Sequence, residues 1–105
     1  MKYYACAEIA VTNPDWIAEY VAHVTPLVEA HGGRYLARTS RVELIEGERQ
    51  PESMLLIEFD SREAVDAFYT SVEYAPHLKA RKEGSVGRFL LVTGKDDFRA
   101  ARIAS

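Results

Sequence analysis

The side chains with chemistry to offer in this 105-residue chain are three histidines, six tyrosines and a scatter of arginines and glutamates. His31 combines a titrating imidazole with a place on the last turn of an apolar helical face, which suits a general acid or base turned into a cleft. The commoner fate of such a residue is a packing or capping histidine, since a helix C-terminus favours a cation. His23 lies at the edge of the same face and can line a pocket. Tyr20 and Tyr69 fall on the inner faces of two different helices, so both phenols can reach one cleft and donate to an oxyanion. Tyr35 is a third such phenol, and core packing is the competing fate of all three. Arg34 and Arg38 share a parity on one strand, where guanidinium groups can hold a carboxylate or enolate bidentately. The roles this suggests are acid or base at His31, anion anchor at Arg38, and oxyanion donor at Tyr20 or Tyr69. That is proton-transfer chemistry on a small substrate with no cofactor.

Glu8 and Glu58 each interrupt an apolar strand. If those strands run antiparallel, the two carboxylates stand roughly 10 Å or more apart at about 3.3 Å per residue, too far to share a proton. Pairing with cations is the better expectation: Glu8 with Arg88, and Glu58 with Arg38 or Arg41. Cys6 is the single cysteine. It can make neither an internal disulfide nor a zinc site, and its apolar surroundings point to buried packing. The histidines are not at metal-ligand spacing, so no metal is expected. Nothing singles out His31 or His77 as a haem ligand. Gly32-Gly33 follows a helix where a phosphate-cradling loop would open one.

With 48% hydrophobic and 28% charged residues, the chain has the balance of an ordinary globular domain, which excludes collagen and disorder. A net charge of −3 argues against a nucleic-acid partner. The densest basic stretch, Lys79, Arg81 and Lys82, is interrupted by Glu83 and reads as a solvated helix face. Neither a membrane span nor a secretory signal is visible, so a cytoplasmic location is the default expectation.

These residues need a scaffold. Residues 3–11 read as a strand. Asn13-Pro14-Asp15 then supplies an N-cap, a proline at the first helical position and an acidic first turn. The helix that follows carries Trp16, Ile17, Tyr20, Val21, Val24, Leu27, Val28 and His31 on one face, with Pro26 on the polar side. Gly32-Gly33 stops it. A long second strand is expected from Arg34 to Glu46, a turn around Gly47–Pro51, and a third strand over Met54–Phe59. A second helix should cover about Arg62–Ser71, with a short helical extension over Tyr74–Lys82. Val86–Thr93 reads as the fourth strand. Residues 1–94 then form one domain and 95–105 an appended tail, in which Phe98 and Ile103 could dock on a partner subunit. Strand–helix–strand twice over gives an α+β, ferredoxin-like βαββαβ fold: a four-stranded antiparallel sheet of order 4-1-3-2 with the helices on one face.

The other face of that sheet should alternate to polar, and it does not. Phe89-Leu90-Leu91-Val92 is apolar on both parities, and Met54 and Leu56 back Leu55, Ile57 and Phe59. An exposed apolar face of that size is rare on a monomer. The simplest cover is a second copy, sheet on sheet, in a homodimeric barrel with its helices outside.

Several segments together carry a resemblance. Ala7-Glu8-Ile9 leads to Val11-Thr12-Asn13-Pro14. His31-Gly32-Gly33-Arg34-Tyr35-Leu36-Ala37-Arg38 follows, then Glu46-Gly47 with Gln50-Pro51-Glu52. Glu58-Phe59 precedes Ser61, and Phe68-Tyr69 precedes Ser71 and Glu73-Tyr74. Over about residues 3–94 the chain resembles an uncharacterised bacterial family, domain of unknown function 1330. The resemblance implies the dimeric α+β-barrel superfamily, which includes cofactor-independent monooxygenases, isomerases, cyclases, stress-responsive proteins and haem-binding dismutases, with a ligand cleft between sheet and helices.

Two functions from different classes follow. One is a homodimer binding a small anionic or aromatic molecule between sheet and helices, as a cofactor-independent isomerase, cyclase or monooxygenase if it is an enzyme. The other is a non-catalytic stress-related or scaffold dimer whose interior is filled by its own side chains. An open cavity lined by tyrosines and His31 favours the first; a filled interior favours the second.

Overall fold

A computed structural model of the chain describes residues 1–99. Strand β1 covers Tyr3–Val11, β2 Arg34–Thr39, β3 Met54–Phe59 and β4 Ser85–Thr93. They form one antiparallel sheet in the order β2-β3-β1-β4, the ferredoxin-like arrangement. After β1, the Asn13 side chain accepts the Asp15 amide at 2.9 Å and a turn of 3-10 helix runs over Pro14–Trp16. Helix α1 then covers Ile17–Ala30. Pro26 lies inside it and is exposed, so the carbonyl it orphans is on the solvent side. The helix stops where Gly32 takes a φ of 81°, a left-handed conformation that costs glycine nothing. Helix α2, Arg62–Tyr69, is capped by the Ser61 hydroxyl, which accepts the Ala64 amide at 3.1 Å. Helix α3 covers Ala75–Gly84, with Pro76 in its first turn.

The core lies between the helices and one sheet face. Ala5 from β1 and Ile57 and Phe59 from β3 meet Val24 and Val28 of α1, Val65 and Phe68 of α2, and Tyr74. The opposite face carries Tyr4, Cys6, Glu8, Met54, Leu56, Glu58, Val86, Arg88, Leu90 and Val92, on the alternate positions of the same strands. Leu90 and Val92 remain 44% and 48% exposed. Cys6 is half-buried on this open face and not in the core. Its sulfur sits 4.0 Å from the Tyr4 carbonyl.

Two expectations for the second strand are corrected. The first is its length: β2 ends at Thr39, not Glu46, because β3 begins at Met54 and Thr39 is its last register partner. Beyond it the backbone has no ladder to join, and side chains take some of its amides instead. The Thr39 hydroxyl accepts the Arg41 amide at 2.9 Å and the Gln50 side chain accepts that of Leu44 at 3.2 Å. The second is its parity. A bulge falls between Tyr35 and Ala37, leaving Leu36 as an extra residue. Arg34 therefore pairs with Glu58 on the open face, while Arg38 pairs with Leu55 on the helix face. The two arginines do not share a side of the sheet.

Candidate functional site

A cleft of about 220 Å³ lies between the sheet and α1. The helical period brings Ile17, Tyr20, Val21, Val24 and Val28 onto its α1 wall, and Trp16 adds the preceding turn. Alternation in the sheet supplies Ile9, Leu55, Ile57 and Phe89 from the other side, with Tyr35 and Arg38 from β2. The walls are almost wholly apolar or aromatic.

Its few polar groups are fixed in place. The Tyr20 and Tyr74 hydroxyls are 2.7 Å apart and hydrogen-bonded to each other. Burial, and then the Tyr74 hydroxyl beside it, push the Tyr20 pKa far above the ordinary tyrosine range. At neutral pH this phenol is therefore a proton donor and not a base. Arg38 donates to the Thr25 hydroxyl at 2.7 Å and stacks over the Tyr35 ring at 4.1 Å, so its charge is held against the β2 side of the cleft. Burial likewise raises the Tyr35 pKa. The Trp16 indole donates to the Gly84 carbonyl at 3.1 Å and meets the Tyr20 ring edge-on at 5.2 Å.

Of the residues expected to share a site, Tyr20 and Arg38 line this cleft and His31, His23, Tyr69 and Arg34 do not. A His31 ring nitrogen is 2.9 Å from the Leu27 carbonyl and the ring leans on Phe68, so the imidazole caps the end of α1. His23 is exposed and stacks on His77 with ring centroids 5.4 Å apart. The bulge puts Arg34 on the open face. Tyr69 lines a second, more polar cavity of about 450 Å³ together with Arg81, Lys82, Ser85 and Arg88. Arg81 departs from the solvated face expected for its basic stretch. It is part-buried, with its guanidinium 5.8 Å from the Phe89 ring centroid and facing the hydroxyls of Tyr74, Tyr20 and Tyr69. Tyr74, 1% exposed, was readable only as the start of a helical extension. The cue to its role is an aromatic at the joint between two helices, where one side chain can face both layers.

The family described as Domain of unknown function (DUF1330) matches residues 2–95. The chain belongs to the DUF1330 family. Comparison with curated proteins gives no match. Solved structures share the fold at low identity. A protein of unknown function from Rhodopseudomonas palustris superposes with a TM-score of 0.73 at 14% identity, covering 90% of this chain and 83% of its own. SnoaB, a cofactor-independent oxygenase from Streptomyces nogalater, gives a TM-score of 0.64 at 14% identity, with 90% and 94% covered. A dimeric ferredoxin-like protein of unknown function from Jannaschia gives 0.58 at 19% identity, with 86% and 98% covered.

In this DUF1330 chain the two strand glutamates are far apart. Tyr4 is the β1 partner of Glu58 and Met54 the β3 partner of Glu8, so four ladder positions separate the carboxylates. Glu8 pairs with Arg88 at 3.7 Å and also with Arg49, at 2.5 Å, from the β2–β3 connection. Glu58 pairs with Arg34 and with Lys2 at 4.0 Å, not with Arg38 or Arg41, because Arg34 is its direct ladder partner while Arg38 lies opposite Leu55, three positions along. Both clusters flank the apolar centre of the open face. Among the described residues no three His, Cys, Asp or Glu side chains converge as a metal site, and no helix is long and apolar enough to cross a membrane. Phe98 is 91% exposed, and Ile103 lies outside the described residues.

Proposed function

We propose that this DUF1330 protein is a homodimer that binds a small aromatic molecule bearing one oxygen-rich head in the cleft between sheet and α1. The observation that carries the reading is an open apolar cleft of about 220 Å³ whose polar groups are the Tyr20–Tyr74 hydroxyl pair and Arg38 with its Thr25 partner. A cavity of about 150 Å³ already suffices for benzene, so this one suits a one- or two-ring compound. Such a space stands against a scaffold with a filled interior.

No imidazole or carboxylate lines the cleft among the described residues, so its walls supply no general base. What they supply is stabilisation of negative charge on a ligand oxygen, by the Tyr20 phenol, which stays protonated, or by the Arg38 guanidinium on the β2 side. A reaction compatible with this belongs to a substrate that ionises readily by itself. Dimerisation is supported by the apolar open face, where Leu90, Val92, Leu56 and Tyr4 await cover, and by the dimer described for the Jannaschia protein.

Calorimetric titration with 2-naphthol tests the cleft. Saturable binding is expected, weakened about three- to tenfold in Tyr20→Phe. It should be lost in Val21→Phe, which fills the cleft from a half-exposed position without disturbing the core. Absence of binding, or equal binding in Val21→Phe, overturns the reading.

A further inference from the structure

The guanidinium of Arg81 has no counter-ion. It belongs to the last turn of α3, part-buried over the Phe89 ring, and no carboxylate pairs with it among the described residues. Its Nη2 is buried and has no hydrogen-bond partner among those residues. The C-terminal end of α3 favours a cation but gives Nη2 no acceptor. A buried donor in this state is costly, and so is a buried charge without a partner. The groups it faces are the hydroxyls of Tyr74, Tyr20 and Tyr69. Tyr20 and Tyr74 line the apolar cleft and Arg81 does not, so its charge stands behind the cleft's tyrosine end.

That position decides what the tyrosine pair can offer a ligand. Of the two phenolic protons, one is used in the 2.7 Å bond between the hydroxyls and the other is spare. A guanidinium only donates, so the spare proton cannot point at Arg81, and the phenol oxygens turn lone pairs to it instead. The direction left for the proton is the cleft. Burial, and then the Tyr74 hydroxyl, raise the Tyr20 pKa, and Arg81 acts in the opposite sense. The same charge acts on any anion that accepts from this hydroxyl. The other cation of the cleft is Arg38, on the β2 side, and His77 meets the Tyr20 ring edge-on with centroids 6.3 Å apart.

We infer that Arg81 is a positioning residue for the cleft: it turns the spare proton of the Tyr20–Tyr74 pair toward the ligand and makes this end select an ionised oxygen, a phenolate or enolate, over its neutral form. This rests on the cleft being a ligand site, as proposed above, and adds the charge state of what it takes.

The test is binding of 4-nitrophenol to the full chain at the pH where the free dye is half ionised. Phenol and phenolate absorb at different wavelengths, so the ionised-to-neutral ratio of the bound dye is read directly. That ratio should fall about tenfold in Arg81→Met. Arg81→Lys loses the same stacking on Phe89 but keeps a cation that only donates, so it should retain most of the parent ratio, whereas lost packing alone would lower both alike. If Arg81→Met does not fold, Arg81→Gln replaces it: uncharged, with a carbonyl that can accept the spare proton, it should show the same fall. His77→Gln should keep the parent ratio. A ratio in Arg81→Met or Arg81→Gln within about twofold of the parent, or Arg81→Lys as low as Arg81→Met, overturns the role of Arg81 and leaves the cleft reading standing. Dye that does not bind the parent saturably, or that Val21→Phe does not exclude, overturns the cleft reading and this inference with it.

Discussion

Gly84→Ala is the sharpest test of how the cleft is held. A Cβ on Gly84 would stand 2.2 Å from Trp16 Cδ1, 2.3 Å from Nε1 and 3.0 Å from the Asn13 carbonyl oxygen. Ordinary contact begins near 3.4 Å, so the indole must retreat by about 1.2 Å (3.4 − 2.2). Its hydrogen bond to the Gly84 carbonyl, now 3.1 Å, cannot survive that movement. Losing the bond costs about 1 kcal/mol and overpacking about 1–3 kcal/mol, while alanine returns up to about 1 kcal/mol of helix propensity. The net destabilisation is about 1–3 kcal/mol, and at about 4–8 °C per kcal/mol the melting temperature should drop by about 5–20 °C. Trp16 is the only tryptophan, so its emission reports both the melt and the displacement of the ring. Both proteins are compared at one concentration, since the proposed self-association would make the midpoint concentration-dependent. A midpoint within about 2 °C of the parent, with unchanged emission, would refute the packing described for Trp16.

Three further outcomes are expected. Leu90→Lys puts a charge in the middle of the apolar open face and should convert a sedimenting dimer into a monomer, whereas Leu90→Ala should leave the dimer; a dimeric Leu90→Lys protein would mean that another surface associates. The Arg49 hydrogen bond, acting against desolvation, holds the Glu8 carboxyl below its usual value of 4.5, with the Arg49 and Arg88 charges adding to the effect. A pKa lower in the folded state means that the pair stabilises above pH 4.5 and that this contribution fades as pH falls through the folded-state value. The gap in melting temperature between parent and Glu8→Gln should therefore be present at pH 7 and closed in acid, and a pH-independent gap would contradict this. Tyr20→Phe leaves the buried Tyr74 hydroxyl short of its 2.7 Å partner and should cost about 1–3 kcal/mol in urea unfolding. Adding Tyr74→Phe should cost less than the sum of the two single changes by at least about 0.5 kcal/mol, and strict additivity would show that the hydroxyls do not interact.

Much of this fold was legible because its elements announce themselves locally. β1 and β3 are apolar runs interrupted only by Glu8 and Glu58, Asn13-Pro14-Asp15 is a helix start by cap chemistry, and Gly32-Gly33 is a helix stop. The strand order and the unpartnered sheet face follow from counting two strand–helix–strand units. The site was less legible, for two physical reasons. A helical wheel places His31 on the apolar face, but at the last turn the imidazole finds the Leu27 carbonyl and lies outside the cleft. A parity argument cannot see a bulge, because the extra Leu36 looks like any other strand residue until the ladder is known. Arg81 and Arg49 were missed for a related reason. A charged residue in a basic stretch or a turn looks solvated unless the phenols or the carboxylate it meets are already placed in three dimensions.

That one surplus residue in β2 has a consequence for how the family can vary. Before Leu36 the even position, Arg34, answers to whatever covers the outer sheet face and the odd one, Tyr35, to the cleft; after it the parity is reversed, with Ala37 outward and Arg38 in the cleft. Selection on association and selection on the ligand therefore alternate along one six-residue strand in a phase that flips at its middle. Shortening the strand by a single position would exchange those allegiances, turning a guanidinium out of the interior and delivering its neighbour in its place. A mutational scan for tolerance to charge should accordingly break phase at Leu36, with no single alternation running its length.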